Sequence, residues 1–198
     1  MTGLRRDLVT GVIAIVVMTI GLGLVYPLAI TGIAQVIFPG SADGSKVSFD
    51  GHVVGSKLIG QEFKGKAYFQ PRPSATGYSG NVTFFGNGGP NSAEVRDEIR
   101  EELAAYVKLN KPYDHSLTRE DVPVDAVTQS ASGVDPHISE ANAGIQAHRI
   151  ATVRKLPLGQ VEGLISDHTD GRFLGVLGEP GVNVLQLNIV LEEEAPLK

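Results

Sequence analysis

The chain contains no cysteine. That rules out disulfides, a thiolate metal site and a cysteine nucleophile, and with them the small disulfide-stapled scaffolds of exported proteins. A second absence is local: between Asp7 and Asp43 there is no Asp, Glu, Lys or Arg. A helix needs about 20 apolar residues to cross the hydrocarbon layer. The run from Leu8 to Pro39 exceeds that and has no polar face, which a buried core helix would show. It also lacks an Ala-x-Ala cleavage site and is far longer than the roughly 7–15 apolar residues of a signal peptide. It reads as a single membrane anchor. Arg5 and Arg6 precede it and no Lys or Arg follows until Lys46. The positive-inside rule therefore makes 1–7 a cytoplasmic N-terminus, 8–39 the transmembrane helix with its outer extension, and 40–198 an extracytoplasmic domain. Pro27 is expected to kink the helix or mark its outer end. Thr19 and Gly23 form a small-xxx-small pair, which is ordinary in a membrane helix.

The part beyond residue 42 carries 15 basic and 21 acidic residues, a net of −6. This argues against nucleic acid or anionic lipid as its main partner. Its length is enough for one proper core. The 24 Gly and 11 Pro of the chain predict a loop-rich fold with few long elements.

Gly40 to Ser45 forms a polar linker. Val47–Phe49 and Val53–Val54 flank Asp50-Gly51, a strong hairpin signal. Ala67 to Gln70 reads as a strand stopped by Pro71 and Pro73, and Ser74 to Pro90 as a long loop. A helix follows, with Asn91 as N-cap, Glu94 three residues on, and Val95, Ile99, Leu103 and Val107 on one face. Val122 to Thr128 reads as a strand. Ser139 caps a second helix running to about Arg154, and Leu158 to His168 forms a third. Phe173–Leu177 and Val182–Leu191 read as strands, the second with Leu185, Leu187, Ile189 and Leu191 alternating inward. The expected fold is α+β: one N-terminal transmembrane helix, then one domain with a small mixed sheet.

Three constellations are tests for chemistry. Gly60 to Ala67 nearly matches a phosphate loop, but Ala67 stands where a Mg²⁺-binding Ser or Thr is needed, and a strand rather than a helix should follow. Asp135, His137 and Glu140 hint at a metal, yet no second His has helix-partner spacing. Ser130 or Ser132 with His137 and Asp135 imitates a triad without Gly-x-Ser-x-Gly. Asp135-Pro136-His137-Ile138-Ser139 better suits a tight turn into a capped helix, with Asp135 bonding the following amides. Arg72, between Pro71 and Pro73, is expected to cross-link loops through carbonyls or a carboxylate. An anchored exported hydrolase and a small-ligand-binding domain stay open on these residues alone.

The motif order adds a resemblance. Leu58-Ile59-Gly60-Gln61-x-Phe63, Tyr68-Phe69-x-x-Arg72-Pro73-Ser74-Ala75 and Gly89-Pro90-Asn91-Ser92 come first. They are followed by Val122-Pro123-x-Asp125-x-Val127-Thr128, Ser132-Gly133-x-Asp135-Pro136-His137-Ile138-Ser139 and Gln146-x-x-Arg149, and closed by Gly178-Glu179-Pro180-x-Val182-Asn183-Val184-Leu185-x-Leu187-Asn188. The whole chain resembles the C subunit family of the Kdp high-affinity potassium-transporting ATPase. The family's usual loop is replaced by a divergent one at 79–92. The resemblance implies a non-catalytic accessory and assembly subunit in the plasma (inner) membrane of a bacterium or archaeon. The implied partners are a potassium-translocating channel-like subunit, a P-type ATPase catalytic subunit and a small single-span subunit. It further implies a catalytic chaperone that raises the ATPase subunit's affinity for ATP. Gln146 stands at the position implicated there, and Arg72, Asp135, His137 and Arg149 stand as structural motif residues. No tightly bound cofactor is implied, only transient ATP. The charge bias puts Gln146 across the membrane from cytoplasmic ATP, and a net of −6 repels a polyanion. A structural role for Gln146, with an indirect effect on ATP affinity, is therefore the expectation.

Overall fold

The computed structural model describes residues 2–80, 87–89 and 91–197. The chain divides into two compact units, Met1–Lys46 and Val47–Lys198.

The first unit is helical. α1 (Thr2–Ile20) runs through a π turn at Gly21–Val25 into α2 (Tyr26–Ile37). The stretch Gly3–Ile37, 35 residues, is long and apolar enough to cross a membrane. At ~1.5 Å per residue it is about 52 Å long, more than the hydrocarbon layer requires. Pro27 does not end the helix. It lacks an N–H for the Gly23 carbonyl, and just before it the Tyr26 amide reaches back five residues to the Gly21 carbonyl. The wider turn makes room for the ring and the helix continues ten residues further. The stop comes at Phe38, which leaves the helical region (φ −134°, ψ 57°) just before Pro39, where a following proline disfavours helix. α3 (Pro39–Ala42) is a single turn, after which Gln35 Nε2 donates to Asp43 Oδ1 at 3.0 Å.

The second unit is α+β, as the sequence suggests, with two small antiparallel sheets. β1 (Lys46–Phe49) and β2 (His52–Ser56) form the predicted hairpin. Asp50 and Gly51 turn it with φ of +48° and +76°. α4 (Ala93–Asn110) is capped by Ser92, one residue later than predicted, so Glu94 falls short of the capping-box position. β3 (His137–Ile138) leads into α5 (Glu140–Arg154), capped by Ser139 as expected. α6 (Leu158–Asp167) follows, then β4 (Thr169–Asp170) and β5 (Gly181–Asn183), which give the order β3-β5-β4.

Four expected strands are corrected. Ala67–Gln70 is irregular, Val122–Thr128 holds a short 3₁₀ turn at Val124–Ala126, and Phe173–Leu177 is a tight turn with one bridge. Val182–Leu191 is strand only to Asn183. Beyond it lies α7 (Val184–Glu194), where Asn183 Oδ1 accepts from the Gln186 amide and caps the helix. The alternating leucines also place Val184, Leu187, Asn188 and Leu191 at i, i+3, i+4 and i+7, and packing selects that stripe. The core gathers Ala143, Ala147 and Ile150 of α5, Val161 and Leu164 of α6, Leu187 and Leu191 of α7, and Phe69.

Candidate functional site

The centre of the domain is polar. Buried Arg149 donates from Nε to Asn110 Oδ1 (2.9 Å), from Nη1 to the carbonyls of Lys66 (2.8 Å) and Tyr68 (3.0 Å), and from Nη2 to Gln146 Oε1 (2.8 Å). Among the described residues no carboxylate pairs with it, so only neutral dipoles offset its burial. Burial draws its pKa down to about 10, against the opposing pull of Tyr106 and Tyr113, and the side chain stays cationic at neutral pH.

Gln146 lies one turn earlier on α5 and is 1% exposed. Its Oε1 also accepts from the Gln70 amide (2.8 Å), and its Nε2 donates to the Gln70 carbonyl (3.0 Å) and to Asn142 Oδ1 (2.9 Å). Both amide protons and both lone pairs are thereby used. Asn142 accepts from the Tyr106 hydroxyl at 2.8 Å and donates to Asp125 Oδ2 at 3.0 Å. Burial holds the Tyr106 phenol well above its ordinary value, so it remains a neutral donor. Asp125 also binds the Ser139 amide and hydroxyl, fastening the start of α5 to the 3₁₀ turn.

The expected strand at 67–70 has its backbone satisfied by side chains instead. The carbonyls of Lys66 and Tyr68 go to Arg149, Ala67 to Arg154, Phe69 to Asn188 and Gln70 to Gln146. The amides of Phe69 and Gln70 go to the same Asn188 and Gln146. Two helices thus do the work of a neighbouring strand. Arg154 also donates to the Ala195 carbonyl (2.6 Å) and Glu192 Oε2 (2.7 Å), and lies 4.9 Å from the Tyr68 ring centroid.

Arg72, Asp135 and His137 form a separate group. Arg72 Nη1 meets Asp135 Oδ2 at 3.0 Å, and its Nη2 reaches Thr128 Oγ1 and the Gln129 carbonyl, both at 3.4 Å. Asp135 Oδ1 accepts from the His137 amide at 3.0 Å, closing the turn, and His137 Nε2 lies 3.2 Å from Asp170 Oδ2. No three metal-ligating side chains come together among the described residues. The near-phosphate loop is not one. The Gly60 amide donates to the Val134 carbonyl, a Cβ there would collide with the Asp135 carbonyl oxygen, and Ala67's own carbonyl is held by Arg154. Residues 81–86 and 90 of the divergent loop 79–92 lie outside the described residues.

Gln146 borders a cleft of about 450 Å³, together with Gln70, Tyr78, Tyr106, Glu62 and Glu102. Lys64 in its wall is paired with Glu62 at 3.0 Å. Burial, then the charges of Glu62 and Glu102, push Tyr78 up to about 12. Asn110, Asn142, Arg154 and Asn188 complete the network but were not legible as site residues. Asn188 stands in the closing motif of the resemblance, but it falls on the buried stripe only because 184–191 is helical.

A family model described as "K+-transporting ATPase, c chain" matches residues 8–193. The Koribacter versatilis protein named potassium-transporting ATPase KdpC subunit is 42% identical over 196 residues, covering 98% of each chain. That of Kineococcus radiotolerans is 45% identical, covering 99% of this chain and 98% of its own. That of Mycobacterium tuberculosis H37Rv is 45% identical over 191 residues, covering 96% and 99%.

Proposed function

The chain belongs to the family of K+-transporting ATPase c chains, an accessory subunit of potassium transport, and from that premise we propose that it has no catalytic site of its own and acts on the conformation of its partners. In this reading the chain crosses the plasma membrane once, with Arg5 and Arg6 inside and the α+β domain outside. Its partners are a potassium-translocating channel-like subunit, a P-type ATPase subunit and a small single-span subunit, the first of which is bound by both the anchor and the domain. Any effect on ATP affinity is indirect, through preference for one state of the complex.

The observation that carries this reading is the commitment of Gln146. A nucleotide contact would have to break one of its four bonds to Gln70, Asn142 and Arg149, and of these partners Asn142 and Arg149 are fully buried. The cleft beside it presents Glu62 and Glu102, with Lys64 already paired, which disfavours a triphosphate. One observation favours direct contact: the cleft is of a size that takes small ligands.

Calorimetry of the full chain in lipid nanodiscs against Mg-ATP separates the two. The indirect reading expects no saturable heat at micromolar nucleotide. Micromolar binding, lost in a folded Gln146→Glu variant, would establish direct contact. Orientation has its own test, since a cysteine-free chain accepts single-cysteine reporters cleanly. A cysteine at Ser41 should react with a membrane-impermeant maleimide in intact cells, and one at Thr2 should not.

A further inference from the structure

We propose that the turn between β4 and β5 is a lipid-inserting wedge, in which Phe173, Leu174, Val176 and Leu177 enter the boundary between headgroups and acyl chains. The inference rests on the membrane location of this chain and not on which side its domain lies.

The four residues are 59–79% exposed, so most of the turn stands clear of the described part of the domain. Below them the hairpin narrows through a polar neck. Arg172 Nη2 pairs with Glu179 Oε2 at 2.7 Å, and one rung further down Asp170 meets His137. The apolar tip is thus set off from the acidic domain by polar side chains that already have partners.

The turn geometry shows that the leucine is placed at a cost. Leu174 and Gly175 have φ of +53° and +77°, close to Asp50 and Gly51 in the β1–β2 hairpin at +48° and +76°. Asp-Gly or Asn-Gly suits such a turn because a short polar side chain tolerates the left-handed region; a leucine does not. The same chain therefore makes one such turn with the favoured residue and the other with a strained, solvent-facing leucine. Backbone strain combined with apolar exposure points to a selected contact.

Lipid suits this tip better than a protein socket. A socket packs one face, whereas Phe173, Leu174, Val176 and Leu177 are all exposed at once. Its backbone is also largely closed on itself. The Phe173 amide donates to Leu177 O (2.8 Å), Leu177 and Val176 to Phe173 O (3.0 and 3.2 Å), and Gly175 to Arg172 O (3.0 Å). Paired amides are what a segment entering hydrocarbon needs. The domain also begins only ten residues after Ile37, the end of the apolar helix, so lipid is present at high effective concentration. Because the domain is acidic, the contact is hydrophobic and indifferent to anionic lipid.

The test uses the full chain in phosphatidylcholine vesicles, with an environment-sensitive fluorophore on a Val176→Cys variant and a control on Glu162→Cys of α6. The Val176 label should shift to the blue and be quenched by lipids spin-labelled near the headgroup, equally at low and high salt, while the control keeps its aqueous emission. Adding Leu174→Asn should raise the thermal midpoint by relieving strain and abolish the quenching. A water-like Val176 label in vesicles would overturn the proposal. So would a blue shift that needs co-purified subunits and resists lipid quenchers, or quenching that survives Leu174→Asn.

Discussion

Asn188 holds the backbone of Phe69 as a neighbouring strand would, its Oδ1 2.8 Å from the amide and its Nδ2 2.9 Å from the carbonyl. Both partners are buried, so the pairing can be lost only by stranding polar groups in the core. Asn188→Leu leaves two such groups unmet, at ~1–3 kcal/mol each. A clear fall in the unfolding midpoint, followed by circular dichroism, is expected, with Asn188→Asp intermediate because it keeps the acceptor. A Leu variant as stable as the parent would show that the segment finds another partner.

Arg72 ties three loop positions together from a half-buried place, and its Nε has no partner among the described residues. Partly exposed pairs contribute modestly, so Arg72→Ala should cost ~1 kcal/mol, or about 2–4 °C in midpoint. In a double-mutant cycle with Asp135→Asn the losses should not add, and strict additivity would refute the coupling.

Glu192 links acid stability to the end of α7. Burial alone would raise its pKa. The hydrogen bond and charge of Arg154, the Leu197 amide and the Tyr68 hydroxyl outweigh it and hold the carboxyl below its ordinary 4.5. A depressed folded value means the contribution is complete above that ordinary value and is lost as pH falls through the folded one. The Glu192→Gln variant should be less stable at neutral pH and show a flatter acid limb. Parallel pH profiles for the two proteins would rule the linkage out.

Deletion of residues 1–42 should abolish growth that depends on the pump at low potassium, because assembly then loses the anchor's contribution. Full growth with the truncated chain would mean the remaining domain suffices.

What was legible in the sequence was whatever a short window determines. The uncharged run, the Asp50-Gly51 hairpin, and the helices capped by Ser139 and beginning at Leu158 depend on neighbours a few residues away. The residues at 184–191 satisfied period 2 and period 3.6 together, and only the Asn183 cap and the packing of Leu187 and Leu191 decide between them. The segment 67–70 is as extended and apolar as a strand, but its partners are side chains more than 70 residues away on α5 and α7, which no local pattern announces. Gln146 and Arg149 were visible as a motif; their four-way bonding was not.

The π turn before Pro27 has a consequence for the neighbours of the anchor. One extra residue in a turn rotates everything after it by ~100° about the axis. Positions seven apart that straddle Gly21–Val25 therefore do not share a side of the helix. A companion helix lying along α1 faces one seam and, continued past the turn, a different one along α2. A single segment can in this way be read by two companions, one at each depth of the bilayer.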